Sequence, residues 1–263
     1  MRNNIDSPIG IFDSGLGGLS VMKEIIQILP KESIIYFADS GNCPYGQKRP
    51  DESISLSDRN TSFLIEKHCK IIVLACNTAT GTAINFLRQK YPDIEFVGIE
   101  PATKPAAQFT KTGHIGILAT ENTIRSDHFI NTKNQYAGHV KVHIQPGTGL
   151  VEIVENNQIN RPETEELLKI FLAPMSDQGI DALVLGCTHY PFLMPAINKI
   201  VPATVRIFNP APAVAIHTKN ILKRKTLLNT KKSGVVYTFY TTGKKSILNN
   251  FIKDNQFFTG LKN

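Results

Sequence analysis

No stretch of this 263-residue chain reaches the eighteen or more apolar residues that a membrane-spanning helix needs. The first residues, Met1 to Pro8, are polar and lack the apolar run of a secretion signal. Together these absences argue against a membrane protein and make a cytoplasmic location the expectation. Cysteine is scarce as well. Cys43, Cys69, Cys76 and Cys187 form no CxxC pair and show no framework spacing, so free thiols are expected rather than disulfides. Cys187 and His189 lie too close for a zinc finger, and no Cys or His cluster along the chain supplies further ligands, so no metal is expected. No pyridoxal-type site is recognisable either, and no cofactor is expected.

What is present is an ordinary globular composition, 41% hydrophobic and 19% charged, in a chain long enough for one large or two small domains. The net charge of +7 is unevenly placed. From Ala211 to Asn263 there are ten Lys or Arg against the single acid Asp254, giving +9, while the preceding 210 residues sum to −2. A solvated basic surface is the plain reading. Contact with nucleic acid, an acidic protein or an anionic metabolite is the alternative.

Short apolar runs alternate with helical periods. Ile9–Phe12, Ile34–Ala38, Ile71–Ala75, Phe96–Ile99, Ile115–Ala119, Val140–Ile144, Leu183–Leu185 and Val205–Phe208 read as buried strands. Between them, Leu19, Met22, Ile26 and Leu29 recur at helical spacing up to Pro30, and Ala83, Ile84 and Leu87 do so before Pro92. Such alternation predicts parallel sheets covered by helices on both faces, an α/β architecture with ligands at the carboxyl ends of the strands.

A faint internal repeat refines this. IGIFDS from Ile9 is echoed by IGILAT from Ile115, and VLACNT from Val73 by VLGCTH from Val184, at offsets of 106 and 111. Two pseudo-symmetric α/β sandwich domains are therefore expected, facing each other across a cleft. Each presents one strand-end cysteine. Residues 1–98 with 210–263 would form the first domain and residues 99–209 the second, the C-terminal segment returning to complete the first.

Three stretches carry chemistry. DSGLGG, Asp13 to Gly18, follows a strand and opens a helix, but Ser20 stands where the third glycine of a dinucleotide fingerprint belongs. The rival reading has Asp13 and Ser14 projecting into a site while Gly15, Gly17 and Gly18 let the backbone approach a small ligand. A lone buried thiol is usually core packing, which suits Cys69 and does not separate Cys43. Cys76 and Cys187 differ, because Asn77 and Thr78 follow one, and Thr188 and His189 the other. One Cys with one His would suit a thiol hydrolase, but that leaves the second cysteine idle. Two thiols facing one carbon from opposite sides suit stereoinversion, one removing a proton and the other returning it. His68, His114, His128, His139, His143 and His217 have no comparable setting.

FDSGLGG, CPYG from Cys43, ACNTATG and LGCTHYP, in this order, resemble the glutamate racemases of the two-cysteine Asp/Glu racemase family. GIEPATKPA from Gly98, ILATENTIRS from Ile117 and FYTTG from Phe239 extend the resemblance over nearly the whole chain. It implies a cofactor-independent enzyme that interconverts L- and D-glutamate for peptidoglycan precursors. By similarity Cys76 acts on D-glutamate and Cys187 on L-glutamate, assisted by Asp13 and His189 respectively. Ser14, Tyr45, Gly46, Asn77, Thr78 and Thr188 match substrate-binding positions, joined by Thr120 and Thr123 from the second half. Asp13 and His189 count among these too. Glu155 resembles the acid that orients the histidine, with Glu152 the competing candidate. Where many members read Asp-Ser or Asp-Pro, this chain has Asn209 and Pro210, at a position with no assigned role. Racemisation of aspartate or a hydantoin stays open. Members differ in oligomeric state and in activation by a cell-wall precursor nucleotide, so a homodimer and a nucleotide-precursor activator both stay open. Some members bind DNA gyrase, and a gyrase or nucleic-acid contact of the basic tail is kept as the secondary alternative.

Overall fold

The computed structural model describes residues 4–231 and 234–254. The first lobe begins with β1 (Ile9–Asp13), α1 (Leu19–Ile28), β2 (Ile34–Ala38), α2 (Pro50–Glu66), β3 (Ile71–Leu74), α3 (Asn77–Lys90) and β4 (Phe96–Gly98). The chain continues through α4 (Thr103–Phe109), β5 (His114–Ala119), α5 (Glu121–Arg125), α6 (Asp127–Ala137), β6 (Lys141–Pro146), α7 (Leu150–Glu155) and α8 (Pro162–Asp177). Then come β7 (Ala182–Gly186), α9 (Met194–Ile200), β8 (Arg206–Phe208), α10 (Ala211–Arg224), β9 (Tyr237–Thr241) and α11 (Lys245–Asp254).

Two parallel sheets result. One has the order β4-β3-β1-β2-β9, the other β6-β5-β7-β8. Reversing the second gives β8-β7-β5-β6, which is the first sheet's order without β9. The repeat in the sequence is therefore a repeat of topology, with β1 corresponding to β5 and β3 to β7. Both are α/β units whose central strands are buried on both faces. β1, β3 and β7 are apolar without alternation for that reason.

β9 pairs in parallel with β2, from Ile34 beside Tyr237 to Ala38 beside Thr241. It is absent from the eight strands that the apolar runs predict. An edge strand reading Tyr-Thr-Phe-Tyr-Thr, half-buried throughout, has no continuous apolar run to announce it. The short connections α5 and α7 are also invisible as periods, being only five and six residues long.

One apolar cluster runs between the lobes, joining Ile11 and Met22 of the first to Leu185 and Tyr190 of the second. Phe192 stacks edge-on against Phe251 of α11, with ring centroids 5.0 Å apart. Among the described residues no helix is long and apolar enough to cross a membrane. The basic C-terminal region is partly committed to internal pairs, Lys225 with Glu95 and Lys231 with Asp6. Lys232 and Lys262 of that region lie outside the described residues.

Candidate active site

The carboxyl ends of β1, β3 and β7 meet where the lobes face each other. After Asp13 the backbone turns through Gly15–Gly18 into α1. A side chain on Gly15 would run into the Glu155 carboxylate, and one on Gly17 into the His189 ring. Gly15 and Gly17 thus let the two lobes approach closely. The Leu16 amide donates to Glu155 Oε1, and Ser20 Oγ donates to the Thr188 carbonyl at 3.0 Å.

Cys76 caps α3. Its thiol sulfur accepts from the Ala79 amide at 3.4 Å, and Ser14 Oγ lies 3.6 Å away. A helix N-terminus stabilises negative charge on sulfur. Burial opposes it more strongly, and with Asp13 close by the thiol is pushed up to about 12. In the ligand-free site Cys76 is accordingly a protonated thiol. Asp13 does not hydrogen-bond Cys76 itself. It accepts from the Gly15 amide at 3.0 Å and from Thr188 Oγ1 at 3.1 Å, so it ties the first lobe to the residue after Cys187. Burial raises its pKa, against the pull of His189 and the backbone amides.

Cys187 follows β7 directly and caps no α-helix; its support comes from side chains. Its Sγ lies 3.6 Å from His189 Nδ1, and His189 Nε2 lies 2.7 Å from Glu155 Oε1. A contact that short between a ring nitrogen and a carboxylate requires the proton on Nε2. The Gly17 amide, 3.3 Å from Nε2, is therefore a neighbour and not a donor there. Burial disfavours the imidazolium, yet contacts with Cys187, Cys43 and Glu155 outweigh it and hold His189 well above its usual value. Glu155 also accepts from Ser40 Oγ at 3.1 Å. Glu152 instead binds Gln47 at 2.9 Å, so it is Glu155 that contacts the histidine.

A single small cavity of about 10 Å³ touches both sulfurs. Ser14, Tyr45, Gly46, Asn77, Thr78, Thr120, Thr188 and His189 line it, together with Pro44 and Val151. Asp13, Glu155 and Thr123 stand behind this wall. Thr123 reaches it through hydroxyl contacts with Thr120 at 2.9 Å and with Thr78 at 3.3 Å, the second of which crosses between the lobes. Asn77 is buried, and neither its Oδ1 nor its Nδ2 has a protein partner. A volume near 10 Å³ is about what one water needs, so a larger ligand requires this wall to rearrange.

Val151 and Asp39 carry no mark in the sequence, and Pro44 is marked only as part of CPYG. Asp39 is fully buried after β2 and accepts from Tyr45 Oη at 2.6 Å, while Arg59 and Thr242 Oγ1 bind its other oxygen at 3.0 and 2.7 Å. Tyr45 is thereby held at the cavity mouth, and its hydroxyl pKa is raised by burial and by Asp39. The one available signal was position, an acid immediately past a strand end as Asp13 is. Cys43 is likewise drawn in: Cys43, Glu155 and His189 offer ligand atoms within 4.8 Å of one another.

Two α/β lobes of matching topology, each delivering a strand-end thiol to one closed cavity, define the class of the two-thiol amino-acid racemases. Residues 9–218 match the family model for Asp/Glu/Hydantoin racemase, and the chain belongs to that family. A glutamate racemase of Ectopseudomonas mendocina is 44% identical over 229 residues, covering 87% of each chain. A crystal structure of a glutamate racemase isoform from Bacillus anthracis superposes with TM-score 0.85 at 36% identity, covering 94% of this chain and 93% of that one. Escherichia coli glutamate racemase, in complex with L-glutamate and the activator UDP-MurNAc-ala, superposes with TM-score 0.84 at 28% identity, covering 96% and 95%.

Proposed function

We propose that this chain interconverts L- and D-glutamate by proton transfer between Cys187 and Cys76, the family reaction that supplies D-glutamate for cell-wall precursors. The carrying observation is that sulfurs from corresponding strand ends of two lobes line the same cavity. Cys187 takes the α-proton of L-glutamate, the electron pair left on Cα spreads into the carboxylate, and the Cys76 thiol returns a proton to the opposite face. The reverse reaction exchanges the two roles.

His189 holds the proton that balances charge beside Cys187, and Glu155 fixes its ring. Asp13 holds Thr188. Hydroxyls of Ser14, Thr78, Thr120 and Thr188, with Tyr45 and the Gly46 backbone, surround the substrate's charged ends, and the unpaired amide of Asn77 gains partners only when substrate binds. Preorganised donors in a closed site stabilise developing negative charge far better than water does. Curated relatives acting on glutamate favour that substrate over aspartate or a hydantoin. Strand membership supports lobes divided at 98/99 and 209/210. A UDP-linked precursor, the ligand class of the E. coli relative, is the regulator to assay.

The test follows L-glutamate in deuterated water with purified protein and no added cofactor. Loss of optical rotation with deuterium at Cα is expected, and a rise in turnover with UDP-MurNAc-ala would extend the likeness to regulation. Absence of exchange in folded protein rejects the reading.

A further inference from the structure

The wall between the catalytic cavity and the surface contains a second chemical unit. Cys43 Sγ, a Glu155 carboxylate oxygen and a His189 ring nitrogen lie within 4.8 Å of one another. They come from the loop after β2, from the end of α7 and from the turn after β7. Sulfur, imidazole nitrogen and carboxylate oxygen are the three donor types that zinc takes together. Cys43 contacts the His189 ring from outside the small cavity that holds the paired thiols and does not line that cavity.

Behind this triad lies a separate cavity of about 240 Å³, walled by Ser40, Cys43, Pro44 and Glu155 among others. It reaches Cys43 and Glu155, two of the three donors, and offers space for the water that an open three-ligand zinc site keeps in its fourth position. In a tetrahedral site with metal–ligand distances of about 2.0–2.3 Å, donor atoms stand roughly 3.5 Å apart. All three donor atoms already stand within 4.8 Å of one another, and Nε2 and Oε1, at 2.7 Å, would open slightly.

We infer that Cys43, His189 and Glu155 form a binding site for a soft divalent cation such as Zn2+, whose occupancy switches the enzyme off. The ion would take His189 Nε2 and Glu155 Oε1 in place of the proton they share. With Nε2 on the ion, the ring keeps its one proton on Nδ1, facing Cys187, and can no longer accept the proton of that thiol. Nδ1, 3.6 Å from Cys187, faces the other way, so the ion and the substrate share the histidine without sharing a cavity. The effect on turnover rests on the reaction proposed above; the binding itself does not.

Co2+ and Zn2+ titrations of the purified full chain test it. The wild type should bind one ion, with the thiolate-to-cobalt charge-transfer absorption of a Cys ligand, and Zn2+ should stop racemisation until a chelator is added. Cys43→Ala and Cys43→Ser should each lose the cobalt band and weaken binding by more than the roughly 10–100-fold that an outer-sphere partner costs. Whatever turnover each variant has without Zn2+ should be unchanged when Zn2+ is added. Two variants guard against a folding failure in either one. A cobalt band that survives both substitutions places the ion on Cys187 and overturns the proposal, as does a wild type that binds no ion. A Cys43-dependent band in a protein that fails to racemise glutamate upholds this site and rejects the reaction instead.

Discussion

His189 bridges Cys187 and Glu155, its Nδ1 3.6 Å from the sulfur and its Nε2 2.7 Å from the carboxylate oxygen. The chain of contacts is sulfur, ring, carboxylate, and then the Leu16 amide of the opposite lobe. It gives the second thiol a support that the first obtains from a helix end. Topological symmetry of the lobes is not matched by chemical symmetry at the sulfurs.

Glu155→Gln tests the electrostatics of that bridge. The pKa of His189 is raised in the folded state, so its contribution to stability is fully present below the unfolded value of about 6.5 and is lost as pH rises through the folded value. The melting temperature of Glu155→Gln should fall furthest behind the wild type at about pH 6.5 and just below, and catch up on the alkaline side. A gap that stays constant from pH 6 to pH 10 would contradict the charged bridge.

Replacing either thiol separates two bases from one. Cys76→Ala and Cys187→Ala should each lose racemisation by at least about 10²–10⁴-fold. Each should still exchange the α-hydrogen of one enantiomer without inverting it, L-glutamate for Cys76→Ala and D-glutamate for Cys187→Ala, read by NMR in deuterated water. A Cys76→Ala protein that is merely slowed would instead indicate a thiol–histidine hydrolase.

Gly17→Ala places a methyl group against the His189 ring and the Thr188 hydroxyl. Neither can retreat easily, since both are buried and tied to other groups. Overpacking of this kind costs typically 1–3 kcal/mol, and displacement of His189 should lower kcat by about 100-fold or more. Equal enantiomer energies require kcat/KM to fall equally in both directions, so measuring both checks the result internally. Wild-type kcat together with unchanged stability would remove the close-approach argument.

Asn77→Ala addresses the buried amide that has no protein partner. Burial of such a group costs about 1–3 kcal/mol, so its removal should leave the melting temperature unchanged or raised. Substrate binding should weaken, KM rising about tenfold or more, because the amide's partners arrive with the ligand. A large drop in melting temperature with unaltered KM would assign Asn77 to the fold instead.

Much of this architecture is written in local pattern. A strand buried on both faces must be continuously apolar, so β1, β3, β5 and β7 are legible as runs, and duplication is legible because equivalent strands retain equivalent ends. The polar groups after Cys76 and Cys187 mark those thiols, since a core cysteine has no reason to be followed by them. Edge strand β9 escapes, because a half-buried strand owes its pairing to a partner about 200 residues earlier in the chain.

Sequence alone thus determined the paired α/β units, the two strand-end thiols and the family. Tertiary structure decided which acid meets His189, why Gly15 and Gly17 lack side chains, and that Cys43 joins Glu155 and His189. Those matters depend on how one lobe lies against the other. Contacts between residues more than a hundred positions apart follow from packing of whole sheets, and no local spacing encodes them.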